Sequence, residues 1–135
     1  MSQSKPELST EIMKKCPINN TMKIVEKKFT VLILRNMLYT EQTRFNQFLE
    51  TIEGINHKTL AIRLKDMVKS GLIQRKIHGG NPARVDYYLT DKGRGLLSVL
   101  EQMAAFSMRF CSKDVIIDGK PRKYGDVYGN PSPYD

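Results

Sequence analysis

The sequence predicts a mainly helical chain with one small β-hairpin, and three observations carry that expectation. Apolar residues recur at spacings of three and four through most of the chain. Two short segments of this kind, each closed by a glycine, follow one another between Arg44 and Gly71 with almost no spacer. After Gly71 the pattern changes to alternation on either side of a turn rich in glycine and proline. In that order the elements form a helix-turn-helix followed by a hairpin, a winged helix-turn-helix, with a long C-terminal helix contributing to a dimer interface.

Residues 1–15 are polar, contain Pro6 and scattered charges, and read as a flexible N-terminal arm. Pro17 suits the start of a helix, because the N–H it lacks would be unpaired in a first turn anyway. Ile18, Met22 and Val25 mark this first helix; Phe29, Leu32, Ile33 and Met37 mark a second, and both are expected to be scaffold. Thr43 is read as the cap of a third helix, whose Phe45, Phe48, Leu49 and Ile52 share one stripe and which Gly54 ends. Asn56 caps a fourth, buried along Leu60, Leu64, Met67 and Val68 until Gly71 stops it.

Leu72 to Ile77 and Val85 to Leu89 read as strands joined through His78-Gly79-Gly80-Asn81-Pro82, with Val85, Tyr87 and Leu89 facing inward. Thr90 is then read as the cap of a single long helix. Leu96, Leu100, Met103 and Phe110 form its central stripe, Val99 and Phe106 widen one side, and Leu97 and Ala104 widen the other. Such an arc is more than a small core buries, so these positions form the expected dimer interface; a wide buried helix in a monomer is the alternative. The folded domain is placed at residues 16–111, and residues 112–135, without a sustained period, are read as a C-terminal tail.

Charge is concentrated. Of the formal net charge of +8, residues 57–84 contribute the larger share, with seven Lys or Arg against one Asp. Such a cluster suits a polyanion better than general solubility does. The longest strongly apolar run, Val31 to Leu34, is far too short for a membrane span, and the first fifteen residues hold no apolar core of signal-peptide type, so a cytoplasmic location is expected. Two cysteines, Cys16 and Cys111, and two histidines, His57 and His78, show no metal-ligand spacing. Phosphate-loop, nucleophile-elbow and zinc-protease motifs are all missing from the sequence, so no enzyme activity, metal or cofactor is expected.

Cys16-Pro17, Arg44-Phe45-Asn46, Gly54-Ile55, Leu60, Leu64, Gly71-Leu72-Ile73, Arg75, Pro82, Val85-Asp86-Tyr87 and Leu89-Thr90-x-x-Gly93 together resemble the HxlR-type transcriptional regulators, within the MarR-like winged-helix proteins. The likeness runs from about Cys16 to Phe110. Asn56 stands where the family commonly has serine, which keeps the capping chemistry. The resemblance implies a homodimeric repressor or activator on an imperfect palindrome. It also implies that Cys16, set beside Lys14, Lys15 and a helix N-terminus, is a candidate sensor of oxidants or electrophiles, with a packed inert thiol as the alternative and pairing with Cys111 left open.

Double-stranded DNA is thus the expected partner. On the 56–70 helix Lys58, Ile62, Lys65 and Lys69 lie opposite the buried stripe, with Thr59 and Arg63 on its shoulder. Arg63 is placed to read guanine, Ile62 or Thr59 to touch a thymine methyl, and Lys65 and Lys69 to meet phosphates. Asn56 and His57 at the helix start, Arg75 and Lys76 on the first strand, and Asn81 and Arg84 near the wing tip complete the contact set, Arg84 toward the minor groove. A winged-helix module that docks protein without reading DNA sequence is the competing reading.

Overall fold

The computed structural model describes residues 12–129, so most of the expected N-terminal arm lies outside the described residues. Helices α1 (Pro17–Val25), α2 (Thr30–Thr40), α3 (Phe45–Thr51) and α4 (His57–Lys69) lead into the hairpin β1 (Ile73–His78) and β2 (Arg84–Leu89). After it come α5 (Asp91–Arg94), α6 (Leu97–Phe110), α7 (Ser112–Val115) and α8 (Tyr124–Tyr128). The mainly helical winged helix-turn-helix expected from the sequence is present.

One core joins α2, α3 and α4 to the hairpin and to α6. Ile33, Leu34 and Met37 of α2, Phe48 of α3, and Leu60, Leu64 and Met67 of α4 are buried together with Leu72, Ile73, Tyr87 and Leu100. Burial of each such side chain contributes roughly 1.5–3 kcal/mol, which sets α4 firmly against the scaffold. A polar clasp crosses the same region. Buried Asn36 donates to Gln42 Oε1 at 3.0 Å and to Thr51 Oγ1 at 2.9 Å, tying α2 to α3.

Thr43 does not cap α3. Its hydroxyl donates instead to Asp86 Oδ1 at 2.9 Å, and Arg44 occupies the cap position. The turn is closed by Gln47, whose Oε1 accepts from the backbone N–H groups of both Thr43 and Arg44 at 3.0 Å. The Thr43 carbonyl also accepts from Tyr87 N–H at 2.8 Å, which holds this short loop against β2.

In the antiparallel hairpin Ile73 pairs with Leu89, Arg75 with Tyr87, Lys76 with Asp86 and His78 with Arg84. The Val85, Tyr87 and Leu89 face packs on the core as expected. Thr90 caps the next helix, but that helix is the short α5 and not one long element. The chain turns at Gly95 and restarts as α6 from Leu96, a break the continuous apolar spacing conceals. Gly93 has a steric reason: a Cβ there would lie 2.2 Å from the Leu72 carbonyl oxygen.

The broad apolar surface of α6 divides. Leu100 is buried and Leu96 packs on the core, whereas Met103, Phe106 and Phe110 are exposed. Val68 on α4, expected inside, is likewise partly exposed at its edge. Residues 112–129, read as tail, contain α7 and α8 with Ser112 and Tyr124 buried. Tyr124 Oη donates to Tyr39 Oη at 2.9 Å and its ring stacks on Tyr128, fastening this segment to α2.

Candidate nucleic-acid interface

Two anchors orient α4. At its start the Asn56 Oδ1 accepts from Thr59 N–H at 2.8 Å, which satisfies one of the four unpaired donors of a first turn. At its middle Arg63 turns back to the scaffold: Nε donates to the Lys28 carbonyl at 2.8 Å and a terminal nitrogen lies 3.1 Å from Asp66, which also pairs with Lys27 at 3.3 Å. Arg63 is thereby engaged within the chain, at 14% side-chain exposure, with Nε and one terminal nitrogen held by scaffold partners. The α1–α2 connection that receives it reaches Phe29 in a left-handed conformation, φ 76°.

The remaining face of α4 is open. Lys58, Ile62, Lys65 and Lys69 are exposed on it and Thr59 is half-buried at its edge. His57 sits with its ring 4.7 Å from that of Phe45, closing the turn between α3 and α4. Lys65 and Lys69 meet Arg75 of β1 across a groove of about 540 Å³, whose floor is Val68 and Tyr87. Helix and wing thus pool three cations along one channel. Among the described residues none of the three lies in an ion pair with a carboxylate.

The wing is organised by a residue that sequence reasoning passed over. Asp86 is fully buried, and Oδ2 lies 2.9 Å from Arg84 Nε and 3.2 Å from His78 Nε2, while Oδ1 takes the Thr43 hydroxyl. Burial works to raise its pKa, but hydrogen bonds from Arg84 and Thr43 and the nearby charges of Arg84 and His78 prevail and hold the carboxyl below its ordinary range. Arg84 keeps 57% of its side chain exposed, so it is aimed by Asp86 without being hidden. Lys76 lies 5.1 Å from the Tyr88 ring centre, and Asn81 is exposed in the turn. The signal available in the sequence was an acid at the centre of an otherwise apolar strand, opposite Lys76.

Away from this face, α1 buries none of its residues and exposes Ile18 and Met22. On α6 the exposed rings of Phe106 and Phe110 lie 5.4 Å apart, beside exposed Met103, with Leu97, Val99 and Ala104 half-buried. Cys16 is a partly exposed free thiol at the N-cap of α1; Cys111, also free, ends α6. Among the described residues no group of three His, Cys, Asp or Glu side chains is placed to hold a metal, and no helix is long and apolar enough to cross a membrane.

Comparison with known proteins agrees with this architecture. A family model described as HxlR-like helix-turn-helix matches residues 24–115. An HTH-type transcriptional regulator of Synechocystis sp. is 34% identical over 103 residues, 76% of either chain. YodB, an HTH-type transcriptional regulator of Bacillus subtilis, is 33% identical over 97 residues, 71% of this chain and 86% of YodB. Its reduced form superposes with a TM-score of 0.62 over 72% of this chain and 95% of that one, and YodB has also been solved after diamide treatment. A MarR-family regulator from Porphyromonas gingivalis superposes with a TM-score of 0.65 at 30% identity, covering 78% of this chain and 99% of that one.

Proposed function

The chain belongs to the HxlR-like helix-turn-helix family of transcriptional regulators, and we propose that it acts as a homodimer on a palindromic operator in double-stranded DNA. In this reading α4 enters the major groove with Thr59 and Ile62 toward base edges, where both offer methyl groups to thymine. Lys65, Lys69 and Arg75 straddle the strand that passes between helix and wing. Asn56, His57 and Lys58 lie at the leading end of α4, and Arg84, with Asn81 and Lys76 nearby, reaches for the adjacent minor groove. The observation that carries the proposal is the unpaired cation channel between α4 and β1, placed beside a helix whose opposite side is locked in the core.

A salt titration tests it. If each subunit neutralises three phosphates, the logarithm of the binding constant should fall against log salt with a slope of roughly −5 for the dimer. Selection from random duplexes should return inverted half-sites, because two copies of α4 set about 34 Å apart meet successive major grooves. A slope near zero, as a protein-docking module would give, rejects the DNA reading.

We propose further that Cys16 makes the regulator thiol-responsive. Oxidation by diamide would take two electrons and two protons from a pair of thiols, one on each copy, leaving an S–S bond between α1 N-termini and a changed half-site spacing. Support comes from the partly exposed free thiol at the α1 N-cap and from the relative YodB, solved both reduced and diamide-treated. A Cys16→Ser protein should keep its operator bound in diamide under conditions that release the wild type. Equal release from both would remove Cys16 from the mechanism.

A further inference from the structure

The connection between α1 and α2, residues 26–29, is held by α4 at two points. Arg63 Nε donates to the Lys28 carbonyl at 2.8 Å, and Asp66 Oδ2 lies 3.3 Å from Lys27 Nζ. The same carboxylate oxygen takes an Arg63 terminal nitrogen at 3.1 Å from one turn away, so swinging the guanidinium toward solvent breaks two contacts at once. The connection itself has little play. Phe29 stands at φ 76°, a backbone region that is unfavourable for a bulky residue and persists only where neighbours hold it. Its ring packs on the core with Lys28 Nζ 5.0 Å from the ring centre, and Thr30 N–H closes the turn on the Lys27 carbonyl at 3.1 Å.

We propose that Arg63 and Asp66 are positioning residues: they fix the direction of α1 against α4, and so set the half-site separation that a pair of subunits accepts. The inference rests on the homodimer and palindrome reading above. Inserting one base pair between half-sites displaces the second by about 3.4 Å and turns it by roughly 34° about the duplex. A pair of subunits therefore discriminates separations only if each reading helix is stiffly tied to the surface through which the copies meet. On the reading side α4 is stiff, locked into the core through Leu60, Leu64 and Met67. On the other side α1 buries none of its residues and exposes Ile18 and Met22, with Ile24 near its C-terminal end packed on the core. The Arg63 and Asp66 contacts bridge the two. They also explain an acid in an awkward place. Asp66 is the one carboxylate among residues 57–84, on a helix whose other exposed charges suit phosphate, where a negative charge opposes DNA; its partners are Lys27 and Arg63, and its task is to hold them.

Binding of the full chain to a duplex series tests this. The series carries the selected inverted half-sites at their preferred separation, the same half-sites with one or two base pairs inserted or removed, and a single half-site. The wild type should prefer one separation over its neighbours by roughly tenfold or more, the scale of one mismatched base pair. Arg63→Gln, Asp66→Asn and Lys27→Gln should each bring the separations to within about threefold of one another. On the single half-site Lys27→Gln should stay within about threefold of the wild type, and Asp66→Asn should bind as tightly or more so, because a negative charge has left a face that meets phosphates. Lys27 is 53% exposed, so thermal unfolding of its variant should match the wild type and a lost preference is not mistaken for a lost fold. The proposal is overturned if Arg63→Gln weakens binding equally at every separation and keeps the wild-type preference, as loss of a direct DNA contact would. Retention of that preference by both Asp66→Asn and Lys27→Gln overturns it too. A wild type indifferent to separation removes the palindrome and this proposal with it, whereas a preference shared unchanged by the wild type and all three variants leaves the palindrome standing and removes the tether alone.

Discussion

Asp86 holds the charges at the base of the wing in place. Buried at the base of the wing, it receives Arg84, His78 and Thr43, and so converts a flexible guanidinium into one with a fixed direction. Its effect on stability has a sign. Because the folded carboxyl titrates below its ordinary value, Asp86 contributes stability that is fully present above about pH 4, the unfolded value, and that is lost as pH falls through the lower folded value. Urea midpoints measured at pH 6 and pH 3 should therefore drop less for Asp86→Asn than for the wild type. A residual drop remains, since Asp118, held low by the Lys120 backbone N–H and by Arg122, titrates in the same direction. Equal drops in the two proteins would mean that Asp86 titrates alike in the folded and unfolded states. Side-chain roles of this kind were poorly legible in the sequence. The pattern placed Asn56 and Arg63 on the helix correctly, and the Asn56 cap formed; but only tertiary neighbours decide that Arg63 turns back to Lys28 and that Thr43 reaches for Asp86.

Elements were legible in proportion to their length. The thirteen residues of α4 contain three full turns of apolar spacing and a capping residue, and both its limits and, Val68 excepted, its buried stripe could be read from them. Helices α7 and α8, four and five residues long, are shorter than the window in which a period shows, and a residue such as Tyr124 looks like any tail aromatic until its slot exists. The docking of that segment rests on a measurable contact. Burial, followed by the hydrogen bond with Tyr124, pushes the Tyr39 phenol well above its ordinary value. A raised phenol contributes stability below the unfolded value of about 10, which is lost as pH climbs toward the folded one. Tyr39→Phe and Tyr124→Phe should each cost on the order of 1 kcal/mol at neutral pH, and the double variant little more than either. Tyr39→Phe should also soften the alkaline loss of stability. Additive losses in the double-mutant cycle would show that the two hydroxyls act on other partners.

At the scale of the whole molecule, the apolar residues left outside mark the face through which the proposed dimer would pair. Met103, Phe106 and Phe110 on α6 are 51%, 59% and 66% exposed, and Ile18 and Met22 on α1 add to the uncovered surface. The sequence disclosed that surplus, because an apolar arc wider than one core can bury is visible in spacing alone. It did not disclose how the arc divides, since only the neighbouring elements decide that Leu96 and Leu100 are covered while Met103, Phe106 and Phe110 are not. A second copy of the same face is the cover that the proposed palindrome requires. Each large side chain buried there contributes roughly 1.5–3 kcal/mol, and several from both copies are needed to offset an association cost of about 4–15 kcal/mol. Phe106→Glu places a charge at the centre of that contact without touching α4 or the wing. Light scattering should then report a monomer at concentrations where the wild type is a dimer. The salt dependence of DNA binding should fall from a slope of roughly −5 to roughly −3, because only one subunit's phosphates remain neutralised, and operator affinity should fall with it. A variant that stays dimeric, or a monomer that keeps the full slope, would separate DNA binding from pairing through α6 and place the second copy elsewhere.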